Sequence, residues 1–302
     1  VLGQDRDMKT LAASLLLGLA APSLAMEEAS FIASLQEVRG FPHAAGEGEV
    51  ELWLAALRET RDPARQLETI ERIESSAGHL EVQDQYAVVD ALKRTADSSF
   101  VAAHVRARAL FALGKAGARL PDEGARGRAA RHLLDSASVQ NPADTRMAPR
   151  AYALSGLSAL SRRLPRGDEA LERDICSKTL DILSEGSGPP ENALAMRLLH
   201  ELFDGRPTVL ARARALSSRL EAEVLAPLER DLEGLYFDGR RGGEYRYHLI
   251  KVLLLTSPYI GDGASSRTRV AQLFDRMGLL EPDQNLKALA QLYARHLRSL
   301  RA

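Results

Sequence analysis

One pattern of residues recurs along the chain at a nearly constant interval, and it limits the possible folds more than any other feature of the sequence. Arg106 and Arg150 hold equivalent positions 44 residues apart, a third copy follows about 42 residues later, and a fourth comes after a longer insert. Helix pairs that recur at roughly 40 to 50 residues predict an α-solenoid, because one pair cannot bury its apolar face without its neighbours. The four copies are Val105–Gly114, Ala148–Leu157, Asn192–Leu199 and Tyr245–Leu254.

The composition and the breaks between segments predict that the elements are helices. Leu, Ala, Arg and Glu are abundant and favour helices, whereas the strand-forming Val, Ile, Thr and Tyr are sparse. We therefore expect an all-α protein, an α-solenoid of about six stacked antiparallel helix pairs. Pro227 should kink or break the long first segment of the fifth pair. The predicted pairs are residues 48–60 with 63–77, 81–96 with 100–118, 122–138 with 146–164, 168–185 with 190–204, 207–235 with 244–257, and 265–278 with 283–300.

The residues around Arg150 carry a resemblance to a known repeat family. Asp144 precedes Arg150 by six residues, and Ala153 and Leu157 follow it, as in a HEAT motif with a loop aspartate before an inner helix that begins with arginine. On the basis of this motif, the chain resembles the HEAT/armadillo-like superfamily from residue 48 to residue 300. A tetratricopeptide array is the alternative, but its period is shorter and we find no aligned Trp, Gly and Tyr positions.

The resemblance implies a binding scaffold whose second helices line the concave side. Arg106, Arg150 and Arg197, or their neighbours one turn on, would then form a row along one inner surface. Because guanidinium groups fork onto carboxylates and phosphates, such a row suits an acidic or anionic partner.

The N-terminal residues have the pattern of a secretory signal peptide, although an N-terminal core helix is the alternative. Met8 and Lys9 precede an apolar run, residues 11–21, and small residues stand at positions −3 and −1 relative to a cut after Ala25. The run is too short to span a bilayer. We therefore expect a periplasmic or secreted protein, divided into a start-site or cloning remnant (1–7), a signal peptide (8–25), an N-terminal tether (26–47) and a helical-repeat domain (48–302).

Few residues have the spacing that catalysis or metal binding requires. His200, Glu201 and Asp204 come close to a zinc-protease helix motif, but an aspartate replaces the second histidine at a natural helix end. Cys176 is the only cysteine and has apolar neighbours, so we expect a buried thiol and no intramolecular disulfide. The sequence contains no nucleophile elbow and no phosphate-binding glycine loop. We expect no metal, no cofactor and no enzyme activity.

An unusual stretch, Gly234–His248 (GLYFDGRRGGEYRYH), combines arginines with tyrosines. Aromatic and Arg side chains together are typical of interface hot spots. The alternative is that its aromatic rings fill the C-terminal end of the stack. The residues that we expect to bind a partner are Arg240, Arg241, Tyr245 and Tyr247.

The charge is unevenly distributed, although the net charge is only −1. Residues 26–90 carry 14 acidic and 5 basic residues, whereas residues 91–166 carry 5 acidic and 14 basic residues. A solenoid would display such blocks as separate patches along its length, and solvated helix faces are the simpler explanation.

These patterns together predict an exported helical-repeat binding or scaffold protein. The expected partner is a macromolecule, in the first place a protein, or an anionic envelope polymer. Nucleic acid is disfavoured by export and by the near-neutral charge. The alternatives are a glycan-active hydrolase or lyase with a helical toroid fold, which one Trp and 5% aromatic residues argue against, and a purely structural repeat protein.

Processing of the N-terminus can be tested directly. If signal peptidase cuts after Ala25, mass spectrometry of the exported protein will show Met26 as its first residue. Recovery of the full chain from the cytoplasm, with none outside, would contradict the expected location.

Overall fold

The protein is an all-α solenoid in the part of the chain that the structure describes, which confirms the fold class predicted from the sequence. In the computed structural model these are residues 48–139, 149–165, 167–185, 188–206, 209, 214–237, 241–261 and 263–300. The predicted remnant, signal peptide and tether lie outside the described residues, as do Asp144 and Arg240.

The helices follow the predicted segments closely. In chain order they are α1 (Glu49–Glu59), α2 (Pro63–Ser76), α3 (Val82–Asp97), α4 (Ala103–Gly117), α5 (Glu123–Ser138), α6 (Pro149–Ser161), α7 (Glu169–Ser184), α8 (Pro189–Gly205), α9 (Arg214–Leu220), α10 (Ala226–Arg230), α11 (Gly234–Phe237), α12 (Gly243–Thr256), α13 (Ala264–Leu280) and α14 (Gln284–Ser299).

Second helices form a continuous row through the molecule. Helices α2, α4, α6, α8, α12 and α14 each pack against the next member of this row, while first helices cover one side of it. Leu110, Leu154 and Leu198, which the repeat predicts to be equivalent core positions, are all buried in the row. None of the described helices is both long and apolar enough to cross a membrane.

Aspartates begin several of the helices by binding their free N–H groups. The carboxylate of Asp122 accepts from the backbone N–H groups of Gly124 and Ala125, and Asp283 does the same at the start of α14. An aspartate in this position stabilises a helix by about 1 kcal/mol. The sequence therefore sets the beginnings of helices locally, before any contact between pairs.

The long segment of the fifth pair departs from a regular helix, as predicted. Residues Glu221–Leu225 form a π turn between α9 and α10. Pro227 has no N–H to continue the hydrogen-bond ladder, and the N–H of Ala226 reaches back five residues to the carbonyl of Glu221. At another boundary the sequence-based prediction is wrong, because Phe100 lies in a turn before α4 and is 99% exposed.

Cys176 lies in the core between neighbouring helices. Its side chain is completely buried, which confirms the predicted buried thiol, and burial raises the pKa of the thiol. A thiol in this state is a small apolar side chain rather than a nucleophile.

At the centre of the second-helix row, α4 and α6 approach each other through glycine. A Cβ atom built on Gly114 would lie 2.2 Å from the carbonyl oxygen of Gly156, and one built on Gly156 would lie 2.7 Å from the carbonyl oxygen of Leu110. No other residue type fits at such a distance, since the contacts are backbone atoms that no rotamer change can move.

Replacing Gly114 by alanine should therefore separate α4 from α6. We expect Gly114→Ala to lower the free energy of unfolding by about 3 kcal/mol or more, from overpacking against a rigid backbone. Gly243→Ala is the matched control, because nothing lies within 4 Å of its Cβ position. Equal stability of the two variants in urea unfolding would show that the helices do not meet at this point.

Candidate functional site

A series of polar side chains runs across the second helices. The carboxylate of Glu74 on α2 accepts a hydrogen bond from Nζ of Lys115 on α4 at 3.3 Å. The hydroxyl of Ser158 on α6 donates to the carboxylate of Glu201 on α8 at 2.5 Å. Lys115, Ser158 and Glu201 follow one another at intervals of 43 residues, so they occupy equivalent positions in successive repeats. We call these four residues the polar face.

The first part of this series is buried and structural. The side chain of Glu74 is 0% exposed, and Arg108 and Lys115 lie 2.8 and 3.3 Å from its oxygens. Burial raises the pKa of Glu74, although both cations act in the opposite direction. The same two cations lie over the ring of Phe111, at 5.2 and 4.9 Å from its centroid. These ion pairs join α2 to α4. Removing either Arg108 or Lys115 would leave the buried charge of Glu74 less well compensated.

Aromatic and cationic side chains meet where α8, α12 and α14 pack together. We call the group formed by His200, Tyr247, His248, Lys251 and Tyr293 the histidine–tyrosine cluster. Nδ1 of His200 lies 2.9 Å from Nδ1 of His248, and the ring of Tyr247 packs edge-on against both imidazoles. Nζ of Lys251 donates to the hydroxyl of Tyr293 and lies 4.9 Å from the centroid of that ring.

The protonation state of the cluster follows from this geometry. The pKa of His200 is lowered to about 3, mainly by burial and then by the nearby His248, Lys251, Arg162 and Arg197, in that order. Because His200 is neutral near neutral pH, one Nδ1 of the pair donates its hydrogen and the other accepts it. On the far side of His248, Nε2 lies 3.6 Å from the carboxylate of Glu244 on the same helix.

The exposure of the cluster is graded. His200, Tyr247 and Lys251 are partly exposed, whereas His248 and Tyr293 are buried beneath them at 8% and 5%. The buried His248 and Tyr293 therefore hold the partly exposed side chains above them in one arrangement. Within the described residues no group of three His, Cys, Asp or Glu side chains could hold a metal ion. The site is suited to hydrogen bonding, stacking and cation–π contacts.

The predicted arginine row does not form one surface. Arg150 is only 4% exposed and pairs with Glu185 at 2.9 Å. Arg197 pairs at 3.0 Å with Glu201 on its own helix, and Arg106 is partly exposed with a buried Nε. The repeat interval places Asn192, rather than Arg197, near the position equivalent to Arg150. A binding role for these arginines stays a prediction.

The predicted Arg–Tyr segment divides between two sides of α12. Tyr245 is buried at 8%, with the guanidinium of Arg241 6.0 Å from the centroid of its ring, so this tyrosine fills the stack. Tyr247 belongs to the histidine–tyrosine cluster. Residues two apart on a helix point about 200° apart, and this rotation separates the two tyrosines. Arg240 lies outside the described residues.

Sequence reasoning treated His200 and His248 separately and missed their contact. They are 48 residues apart, an interval longer than the 44-residue repeat because the fifth pair carries an insert. An alignment of the repeats that allowed for this insert could have placed the two histidines opposite each other.

Comparisons with known proteins support the fold and leave the chemistry open. The chain matches no family model and no curated protein. Its fold is similar to the crystal structure of an engineered protein from the Northeast Structural Genomics Consortium, with a TM-score of 0.54 and 16% identity over 83% of this chain and 97% of that chain. A second engineered protein from the same consortium aligns with a TM-score of 0.41 and 14% identity over 97% of this chain and 79% of that chain.

The pKa of His200 predicts a loss of stability in acid. The unfolded chain takes up a proton at this histidine near its ordinary pKa, about 6.5, whereas the folded chain does so only near 3. Stability is therefore complete above about pH 6.5 and falls as the pH falls, by about 1 kcal/mol between pH 7 and 5.5. We expect His200→Asn to lose less stability over this range in urea unfolding. The exposed His79 supplies the control, and His79→Asn should behave as the unsubstituted protein does.

Proposed function

We propose that this chain is an exported helical-repeat binding protein, similar to the HEAT/armadillo-like scaffolds. In this proposal the protein is periplasmic or secreted after cleavage following Ala25, and it holds a macromolecular partner on the face formed by its second helices. The partner that we favour is a protein.

The histidine–tyrosine cluster is the observation that carries this proposal. It combines partly exposed aromatic rings with a cation, which is the composition of interface hot spots. Lys251 lies between two rings, 5.8 Å from the centroid of Tyr247 and 4.9 Å from that of Tyr293. Because these side chains are already ordered by one another, they would lose little conformational entropy when a partner binds them.

Glu201, a partly exposed member of the polar face, extends the same binding surface along α8. Glu201 accepts from Ser158 and from Arg197 at 3.0 Å, directly beside His200 in the sequence. Arg197 and Glu201 therefore place charges of both signs beside the cluster on α8. Mixed charges around an aromatic centre favour one orientation of a protein partner, whereas an anionic polymer would meet the carboxylate of Glu201 unfavourably.

Site-specific photo-crosslinking tests the proposal. We would replace Tyr247 by the photoreactive residue p-benzoylphenylalanine, express the full chain with its N-terminus, and irradiate the exported fraction. A discrete adduct is expected from position 247, and adding Lys251→Ala should remove it by taking away the cation between position 247 and Tyr293. Protease treatment of the adduct distinguishes a protein partner from a polymer.

The matched control places the same photoreactive residue at Phe237. This side chain is 85% exposed but lies outside the cluster. Adducts of equal yield from both positions, or no adduct from position 247, would contradict binding through the second-helix face.

A further inference from the structure

A short motif recurs at the ends of the second helices. Arg119-Leu120-Pro121 follows α4, and Arg163-Leu164-Pro165 follows α6 one 44-residue repeat later. Arg206 follows α8 after a further 43 residues and precedes Pro207. Three successive turns of the solenoid therefore place an arginine at the same position.

In the first two turns a buried leucine follows an exposed arginine. Leu120 and Leu164 are each 2% exposed and anchor their turns in the core. Arg119 and Arg163, directly before them, are exposed. The arginines consequently project from one end of the second-helix row.

These turns line an open cavity of about 520 Å³. The volume lies within the roughly 300–1,000 Å³ of small-molecule sites. Among the described residues, the lining contains five arginines, one glutamate and no aromatic side chain. The charged residues of the lining are Arg119, Arg126, Arg162, Arg163, Arg206 and Glu123.

Two of the arginines are engaged by the turns themselves. Arg126 donates to the carbonyls of Leu120 and Pro121 at 2.6 and 3.0 Å. Arg206 donates to the carbonyl of Pro165 at 2.8 Å and pairs with Glu172. These contacts satisfy carbonyl groups whose negative ends would otherwise repel an anion at the C-termini of the helices.

The remaining three guanidinium groups are available to a ligand. In the described part of the chain, Arg119 and Arg163 make no side-chain hydrogen bond and have no carboxylate within 4.0 Å. Arg162 lies 3.9 Å from the carboxylate of Asp204, near the limit of ion-pair distance. The lining carries five positive charges against one negative charge, and a bound anion would relieve the repulsion among them.

We propose that this arginine cavity binds a small anion of two or more linked phosphates. A guanidinium fork matches phosphate oxygens with two parallel hydrogen bonds, and three such groups suit a ligand with several charges in a compact volume. Because the lining has no aromatic ring, recognition is limited to the phosphates and does not extend to a nucleobase. The site shares no residue with the histidine–tyrosine cluster and does not rest on the proposed function.

Isothermal titration calorimetry of the purified protein tests this site with pyrophosphate, ADP and orthophosphate as probes. One pyrophosphate should bind per chain, and ADP should bind with about the same affinity. Orthophosphate should bind with an affinity lower by about tenfold or more. Arg119→Gln/Arg163→Gln should weaken pyrophosphate binding by about tenfold or more. Arg119→Lys/Arg163→Lys, which keeps the charge but not the guanidinium fork, should restore only part of this affinity.

The control is Arg173→Gln/Arg230→Gln, which removes the same charge from exposed positions on α7 and α10. Equal weakening by both double variants would show nonspecific attraction and overturn the site, as would undiminished binding to Arg119→Gln/Arg163→Gln. ADP that binds more than tenfold tighter than pyrophosphate would overturn recognition by phosphate alone. Both pairs of arginines are exposed, and unchanged melting temperatures will confirm that each variant is folded.

Discussion

The contact between Gly114 and Gly156 is the constraint on which the rest of the solenoid depends. It lies in the middle of the second-helix row, and it brings the backbones of α4 and α6 closer than any side chain would allow. The offset between these two helices determines how Lys115 and Ser158 follow one another along the polar face. A shift at this crossing would pass to each later pair, since every second helix packs on the one before it.

Most of the fold could be predicted from the sequence because its determinants are local. Gly, Pro and Asp mark the ends of helices, and Asp122 shows why, since its carboxylate binds N–H groups two and three residues away. The interval between Arg106 and Arg150 gives the length of the repeat, and this length predicts that Leu110, Leu154 and Leu198 are equivalent core positions. The π turn before Pro227 could be expected only as an interruption, because its geometry depends on the packing of α9 and α10.

The candidate site was less predictable because it depends on rotation and register between helices. The sequence marks Tyr245 and Tyr247 as a pair, yet α12 directs one into the core and the other to the histidines. Arg150 and its equivalents stand out in composition, but the structure buries Arg150 against Glu185. Residue type alone does not distinguish an ion pair that joins two repeats from a charge that is available to a partner.

The interval between interacting residues has a consequence for how the protein folds. Polar contacts between repeats join residues 34 to 48 positions apart, wherever they lie in the chain. The loops to be closed are therefore of similar length throughout, and the loop entropy opposing each new pair does not grow as the solenoid lengthens. Folding can begin at any well-formed pair and extend in both directions, at a rate set by these short separations rather than by the length of the chain.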